Sequence, residues 1–237
     1  MDYTEYIKYQ ESINKILLDK LIKNWQIIDG IKLKVNSEGK YIRFIGNTIL
    51  IFIEQNDIKI IKEIQKILYS KVGEILASPL NADTFHITIH DLCNSFTYKN
   101  VVKCMKETEK NIKKIFIENF CVLKNEIISF KSIGLFHGGS AIGIQFIPAN
   151  KKDYLLLMNI YNKIENIFPL NKILIPHITL GYYKPVDYSI EELKKIKSAI
   201  ETIKFNIKIN LKIKNLSFEK FYTMNDYSTI FSLKSLC

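Results

Sequence analysis

Phe85-His86-Ile87-Thr88-Ile89-His90 and Pro176-His177-Ile178-Thr179-Leu180-Gly181, read side by side, decide the fold. Each contains the tetrad His, apolar, Thr, apolar. In an extended strand residues i and i+2 share a face. His86 and Thr88 are therefore expected to point one way while Ile87 and Ile89 point the other. The same holds for His177 and Thr179 against Ile178 and Leu180. Each tetrad reads as a half-buried strand that presents an imidazole beside a hydroxyl. The chain has only four histidines, so two of them heading the same tetrad is a pattern that chance seldom produces.

Working outward, helical and strand periods alternate. Thr4 to Lys23 has helical spacing. Ile31 to Val35, Tyr41 to Ile45 and Thr48 to Ile53 read as strands. Ile58 to Leu76 is an amphipathic helix, and Phe85 to Leu92 a strand. Lys99 to Asn119 is again helical. Ile127 to Phe136 and Ala141 to Ile147 form a hairpin across His137-Gly138-Gly139-Ser140. Lys152 to Phe168 is a helix, and Ile173 to Tyr182 a strand. Ser189 to Ile203 is a helix opened by a capping box. Phe205 to Leu216, Phe218 to Tyr222 and Ser228 to Leu233 close the chain as strands. Hairpins beside strand-helix-strand units make an α+β class with largely antiparallel sheets.

The 237 residues, 47% apolar, suffice for a real core. They contain no stretch of 18 apolar residues that could span a membrane. The first residues lack a basic-then-apolar leader pattern, so a cytoplasmic, monomeric protein is the expectation. The four cysteines, Cys93, Cys104, Cys121 and Cys237, show no metal-knuckle spacing and are expected as free thiols. The formal net charge of +10 suits an anionic partner such as RNA or a nucleotide, although Arg43 is the only arginine and the many lysines also reflect composition.

Paired His-Thr strands suit phosphoester chemistry. Displacement at phosphorus needs a base for the attacking oxygen and an acid for the leaving oxygen. Imidazole does either near neutral pH. A Thr hydroxyl can donate to a non-bridging oxygen. Two such strands across a cleft need neither metal nor cofactor.

With His86-Ile87-Thr88-Ile89 and His177-Ile178-Thr179-Leu180 in place, the chain resembles the 2H phosphoesterase superfamily. These are the LigT-like RNA 2′,5′-ligases and cyclic phosphodiesterases. Pro176 before the second tetrad and Gln145-Phe146-Ile147-Pro148 between the two add to the likeness, which runs from Thr48 to Leu233. The resemblance implies a bilobal fold, two sheets with flanking helices around a central groove. It divides the chain into an N-terminal extension, residues 1–46, packed on the core, and a phosphoesterase domain of two pseudo-symmetric lobes, residues 47–237. It implies His86 and His177 as catalytic residues, Thr88 and Thr179 as phosphate anchors, and a metal-independent phosphodiesterase opening a cyclic phosphate. The partners would be RNA ends or small cyclic nucleotides. The rival reading is a catalytically idle RNA- or nucleotide-binding module that uses the same groove.

Other residues are weaker candidates. His90 is expected on the face of His86 and Thr88, and Tyr182 on the catalytic face two residues beyond Leu180; both are candidate substrate contacts. Asp91 is expected on the opposite face, which argues against a metal site of His86, His90 and Asp91. His137 reads as an exposed turn residue. Arg43 and Lys184 are cations that could meet phosphate. No arginine follows the second tetrad; Tyr182, Tyr183 and Lys184 stand there instead.

Overall fold

The computed structural model describes residues 1–23 and 25–237. Its elements, in chain order, are α1 (Tyr3–Lys23), α2 (Asp29–Lys32), β1 (Gly46–Phe52), α3 (Gln55–Val72), β2 (His86–Asn94), α4 (Val101–Ile115), β3 (Ile127–His137), β4 (Ala141–Pro148), α5 (Lys151–Glu165), β5 (His177–Tyr182), α6 (Ile190–Thr202), β6 (Lys208–Lys212), β7 (Ser217–Thr223), β8 (Asp226–Ser232) and α7 (Leu233–Leu236). The strands form two four-stranded antiparallel sheets, ordered β2-β1-β7-β8 and β5-β4-β3-β6. Each tetrad thus lies on the edge strand of its own sheet, and these two edge strands contact one another.

The core follows from the pattern. Ile87, Ile89, Ile178 and Leu180 are buried, joined by the stripe Ile58, Ile61, Ile64, Leu68 and Val72 of α3. Each such side chain contributes about 1.5–3 kcal/mol on burial. The helix α6 opens with the expected capping box, Ser189 and Glu192 bonding reciprocally. Among the described residues, no helix is long and apolar enough to cross a membrane.

Several expectations need correction. Ile31 to Val35 is not a strand. Ile31 and Val35 are four apart, and the Val35 N–H donates to the Ile31 carbonyl at 2.9 Å, a helical turn. Tyr41 to Ile45 is not a strand either; only Val35 and Tyr41 form an isolated bridge, around a turn at Gly39 (φ 83°) that favours glycine. The strand expected over Phe205 to Leu216 shortens to β6, then a turn of 3-10 helix takes Ile213–Asn215. The second tetrad strand begins at His177, not Ile173.

The cysteines are the largest correction. Cys93 is bonded to Cys104 and Cys121 to Cys237, with Cα separations of 6.0 and 5.7 Å, inside the range a disulfide spans. The first ties β2 to α4; the second ties the helical stretch after α4 to the chain's last residue. Sequence spacing hid both, because the fold brings the pairs together.

Besides the direct contact of β2 with β5, two joints tie the two halves together. Leu76 and Tyr183 form an isolated antiparallel bridge, flanked by Ala77 N–H to the Tyr182 carbonyl (2.8 Å) and Lys184 N–H to the Ile75 carbonyl (3.1 Å). On the other side His90 of β2 meets Glu165 of α5, Nε2 to Oε2 at 2.8 Å.

Candidate active site

The face on which each side chain lies is set by the partner strand. In β2, Phe52 pairs with His86, Leu50 with Thr88, Ile49 with His90 and Thr48 with Asp91. The step from Ile49 to Leu50 takes one residue on β1 and two on β2, so Ile89 is the extra residue of a β-bulge. In β5, Gln145 pairs with His177, Gly143 with Thr179, Ile142 with Gly181 and Ala141 with Tyr182. There Leu180 is the extra residue. The two tetrads therefore carry the same bulge at the same place, their closing apolar residue. Close strand approach there needs glycine: a Cβ on Gly143 would stand 2.5 Å from the Ile178 carbonyl oxygen.

The matched bulges reverse two expectations, and a third holds for a different reason. Regular alternation from His86 would carry His90 to the same face. The bulge instead puts His90 with Ile87, against α5, and turns Asp91 to the side of His86 and Thr88. His90 borders the groove, yet it is 1% exposed. Its two nitrogens are engaged by the Asp91 carbonyl and Glu165, which leaves nothing to offer a substrate. The bulge also separates His90 from His86, so the trio weighed as a metal site does not share a face. In β5 strict alternation would have left Tyr182 with Ile178 and Leu180. The bulge is what aims it into the groove, where its hydroxyl donates to Met224 Sδ at 3.1 Å.

The result is one groove of about 400 Å³ lined from both sheets, with His86, Thr88 and Asp91 on one side and His177, Thr179 and Tyr182 on the other. Both imidazoles are anchored alike. His86 Nδ1 lies 2.6 Å from the Thr84 carbonyl and His177 Nδ1 lies 2.7 Å from the Ile175 carbonyl. A carbonyl only accepts, so each Nδ1 carries the proton. In the neutral ring, Nε2 is then the basic nitrogen. Aromatic rings steady both imidazoles: Phe52 and Tyr227 at 5.9 and 5.1 Å from His86, Phe136 at 5.5 Å from His177. Thr88 and Thr179 are half-buried, and their hydroxyls have no bonding partner among the described residues.

Electrostatics single out Asp91. Burial pushes the His86 imidazole down to about 4, opposed by its bond to Thr84 and by Asp91, and aided by His177. Burial also lowers His177; its bond to Ile175 and Asp91 act upward, Lys34 downward. Asp91 is the one carboxylate among the groove-lining residues, so it is the fixed charge that helps either imidazole hold a proton. The sign follows: Asp91→Asn removes stabilisation of both imidazolium forms. Both limbs of the kcat/KM profile should then move to lower pH. Superimposable profiles of the variant and the parent would show that Asp91 exerts no such field.

Other candidates fall outside the groove. His137, expected in an exposed turn, ends β3 buried, with Nδ1 2.9 Å from the Tyr183 hydroxyl, and burial lowers it to about 4. Lys184 Nζ donates to the Glu74 carbonyl at 2.7 Å. Arg43 is exposed and does not line the groove. The groove residues that pattern reading missed are Asp91 and Lys34. Only the bulge, which a sequence period does not carry, could have revealed the first.

No protein-family profile matches the chain, and no curated protein matches it. Solved structures do. A conserved protein of unknown function from Agrobacterium tumefaciens aligns over 91% of this chain and 98% of its own, at 15% identity and TM-score 0.67. A Thermus thermophilus protein aligns over 80% and 98%, at 12% identity and TM-score 0.53. Escherichia coli LigT complexed with 3′-AMP aligns over 79% and 96%, at 13% identity and TM-score 0.46. What the first two share with this chain is the fold, an α+β arrangement of two antiparallel sheets with flanking helices.

Proposed function

We propose that this chain is a 2H-type phosphoesterase that opens a cyclic phosphate on a nucleotide or RNA end by two-histidine acid/base catalysis. The observation that carries the reading is the paired geometry. Two imidazoles from opposite sheets have Nδ1 tied to a carbonyl and Nε2 as the working atom, each beside a Thr hydroxyl in one groove.

The chemistry follows from that placement. One neutral imidazole takes a proton from water through Nε2 as the water oxygen bonds to phosphorus. The other, protonated, gives its Nε2 proton to the ribose oxygen as the ring P–O bond breaks. Thr88 and Thr179 donate to the non-bridging oxygens, where charge grows in the transition state. Burial lowers the proton affinity of both imidazoles, and an anionic phosphate beside them raises it again. The two pKa values that govern the reaction belong to the pair. The idle-module reading keeps the groove and ligand but gives the paired Nε2 atoms no task.

The test is a panel of 2′,3′-cyclic nucleotides, 3′,5′-cyclic nucleotides, RNA bearing a terminal cyclic phosphate, and linear diesters, each run with and without EDTA. The expected result is turnover of at least one cyclic phosphate, unchanged by the chelator, with a bell-shaped pH profile. Activity that vanishes in EDTA and returns with a divalent cation would overturn the metal-independent mechanism. Tight nucleotide binding without turnover would favour the idle module.

A further inference from the structure

Lys34 stands in the segment between α2 and β1, outside the part of the sequence that carries the tetrads, yet its side chain lines the groove. Its backbone is pinned from both directions. Lys34 N–H donates to the Ile31 carbonyl at 2.8 Å, and its own carbonyl accepts from Ile42 N–H at 3.0 Å. Its ammonium is held between two rings, 5.1 Å from the centre of Phe44 and 5.3 Å from that of Tyr182. Phe44 stacks in turn on Phe221, and Tyr182 meets Tyr41 edge-on. This clamp spans the molecule: Phe44 comes from the N-terminal segment, Tyr182 from the strand of His177.

What the clamp lacks is an anion. Eleven lysine–carboxylate ion pairs form among the described residues, and Lys34 is in none of them. Ring faces attract a cation weakly compared with the hydration it gives up. Holding an ammonium in a groove without a carboxylate contact is therefore costly. The cost is offset when an anionic ligand enters. Burial lowers the Lys34 pKa and Asp91 opposes this, and Lys34 acts on His177, so the ammonium belongs to the same electrostatic neighbourhood as the tetrads.

We infer that Lys34 is the phosphate-binding cation of this groove, supplied by the N-terminal segment and oriented by the Phe44–Tyr182 clamp toward an oxyanion of the substrate. The inference rests on the phosphoesterase reading for the identity of the substrate, not for the anion site itself. It gives the first 46 residues a share in the site and puts a cation in the groove of a chain whose second tetrad is followed by no arginine.

The experiment measures inorganic phosphate binding by calorimetry, and kcat and KM on the best cyclic phosphate, for the parent, Lys34→Met and Lys34→Arg. Methionine keeps the apolar stem in the clamp and removes the charge. Lys34→Met should weaken phosphate binding and raise KM by roughly 10- to 100-fold, the size of one charge-assisted contact. It should also flatten the salt dependence of KM, while Lys34→Arg retains most of the affinity. Should the Met variant fail to fold, Lys34→Gln replaces it. Equal phosphate affinity and KM in the neutral variant and the parent would overturn the Lys34 site while leaving the phosphoesterase standing. Phosphate binding that depends on Lys34 in a protein that turns over no cyclic phosphate would uphold the anion site and sink the phosphoesterase reading.

Discussion

His86→Ala and His177→Ala should each lower kcat on a cyclic phosphate by about 10²–10⁴-fold, with the fold retained. Retention of structure is expected because both imidazoles are half-buried at a groove wall rather than in the core. Their apolar partners Ile87 and Ile178 stay in place. The two losses should not add. Base and acid serve the same displacement, so once one is gone the other has little left to accelerate. The double variant should therefore lie close to the weaker single variant. Steady-state kinetics with circular dichroism checks this, and near-parental turnover in either single variant would remove that histidine from the mechanism. Replacement by Gln or Asn is a sharper control. It keeps a polar group that can still bond the Thr84 or Ile175 carbonyl but removes the titrating nitrogen.

The second large effect is on stability. Cys121–Cys237 closes 116 residues and Cys93–Cys104 closes 11. On the chain-entropy estimate the long link constrains the unfolded state by about 5 kcal/mol and the short one by about 3 kcal/mol. Cys121→Ser with Cys237→Ser should accordingly cost more than Cys93→Ser with Cys104→Ser. Guanidinium unfolding of the oxidised protein, the two pairwise variants and the fully reduced protein gives the order directly. A midpoint unmoved by reduction would show that neither link contributes. The links form only under oxidising conditions, so the stability of this protein is a property of its redox surroundings as well as of its sequence.

Much of the fold was legible in the sequence because its periods are strong. The stripe of α3 and the capping box at Ser189 announce their helices. The hairpin around His137-Gly138-Gly139-Ser140 declares its turn. What was not legible has a common cause. A bulge adds one residue to a strand without changing its composition, so reading by alternation fails one residue later. Ile89 and Leu180 are ordinary apolar residues in sequence; only their partners on β1 and β4 reveal that they are supernumerary. His90 was consequently placed on the wrong face, Asp91 was missed, and Tyr182 was placed in the groove by a count that did not support it. Lys34 was invisible for another reason. Among so many lysines nothing local marks one that long-range packing brings to a groove. The Cys121–Cys237 link was hidden in the same way, by partners 116 residues apart along the chain.

Each half of the proposed acid/base pair rides on its own sheet, and the halves meet where β2 packs on β5, at the Leu76–Tyr183 bridge and at the His90–Glu165 contact. The gap between the two imidazoles is therefore inherited from the packing of β2 on β5 and from those joints, and not from the letters of either tetrad. Drift at a joint can open or close that gap while both tetrads stay letter-perfect and the chain stays folded. Descendants of such a chain would carry the full signature and do no chemistry. Others could recover a rate, or accept a longer substrate, by exchanging a residue that no motif contains. For a protein built this way, the record of its activity is written at the seam between its halves.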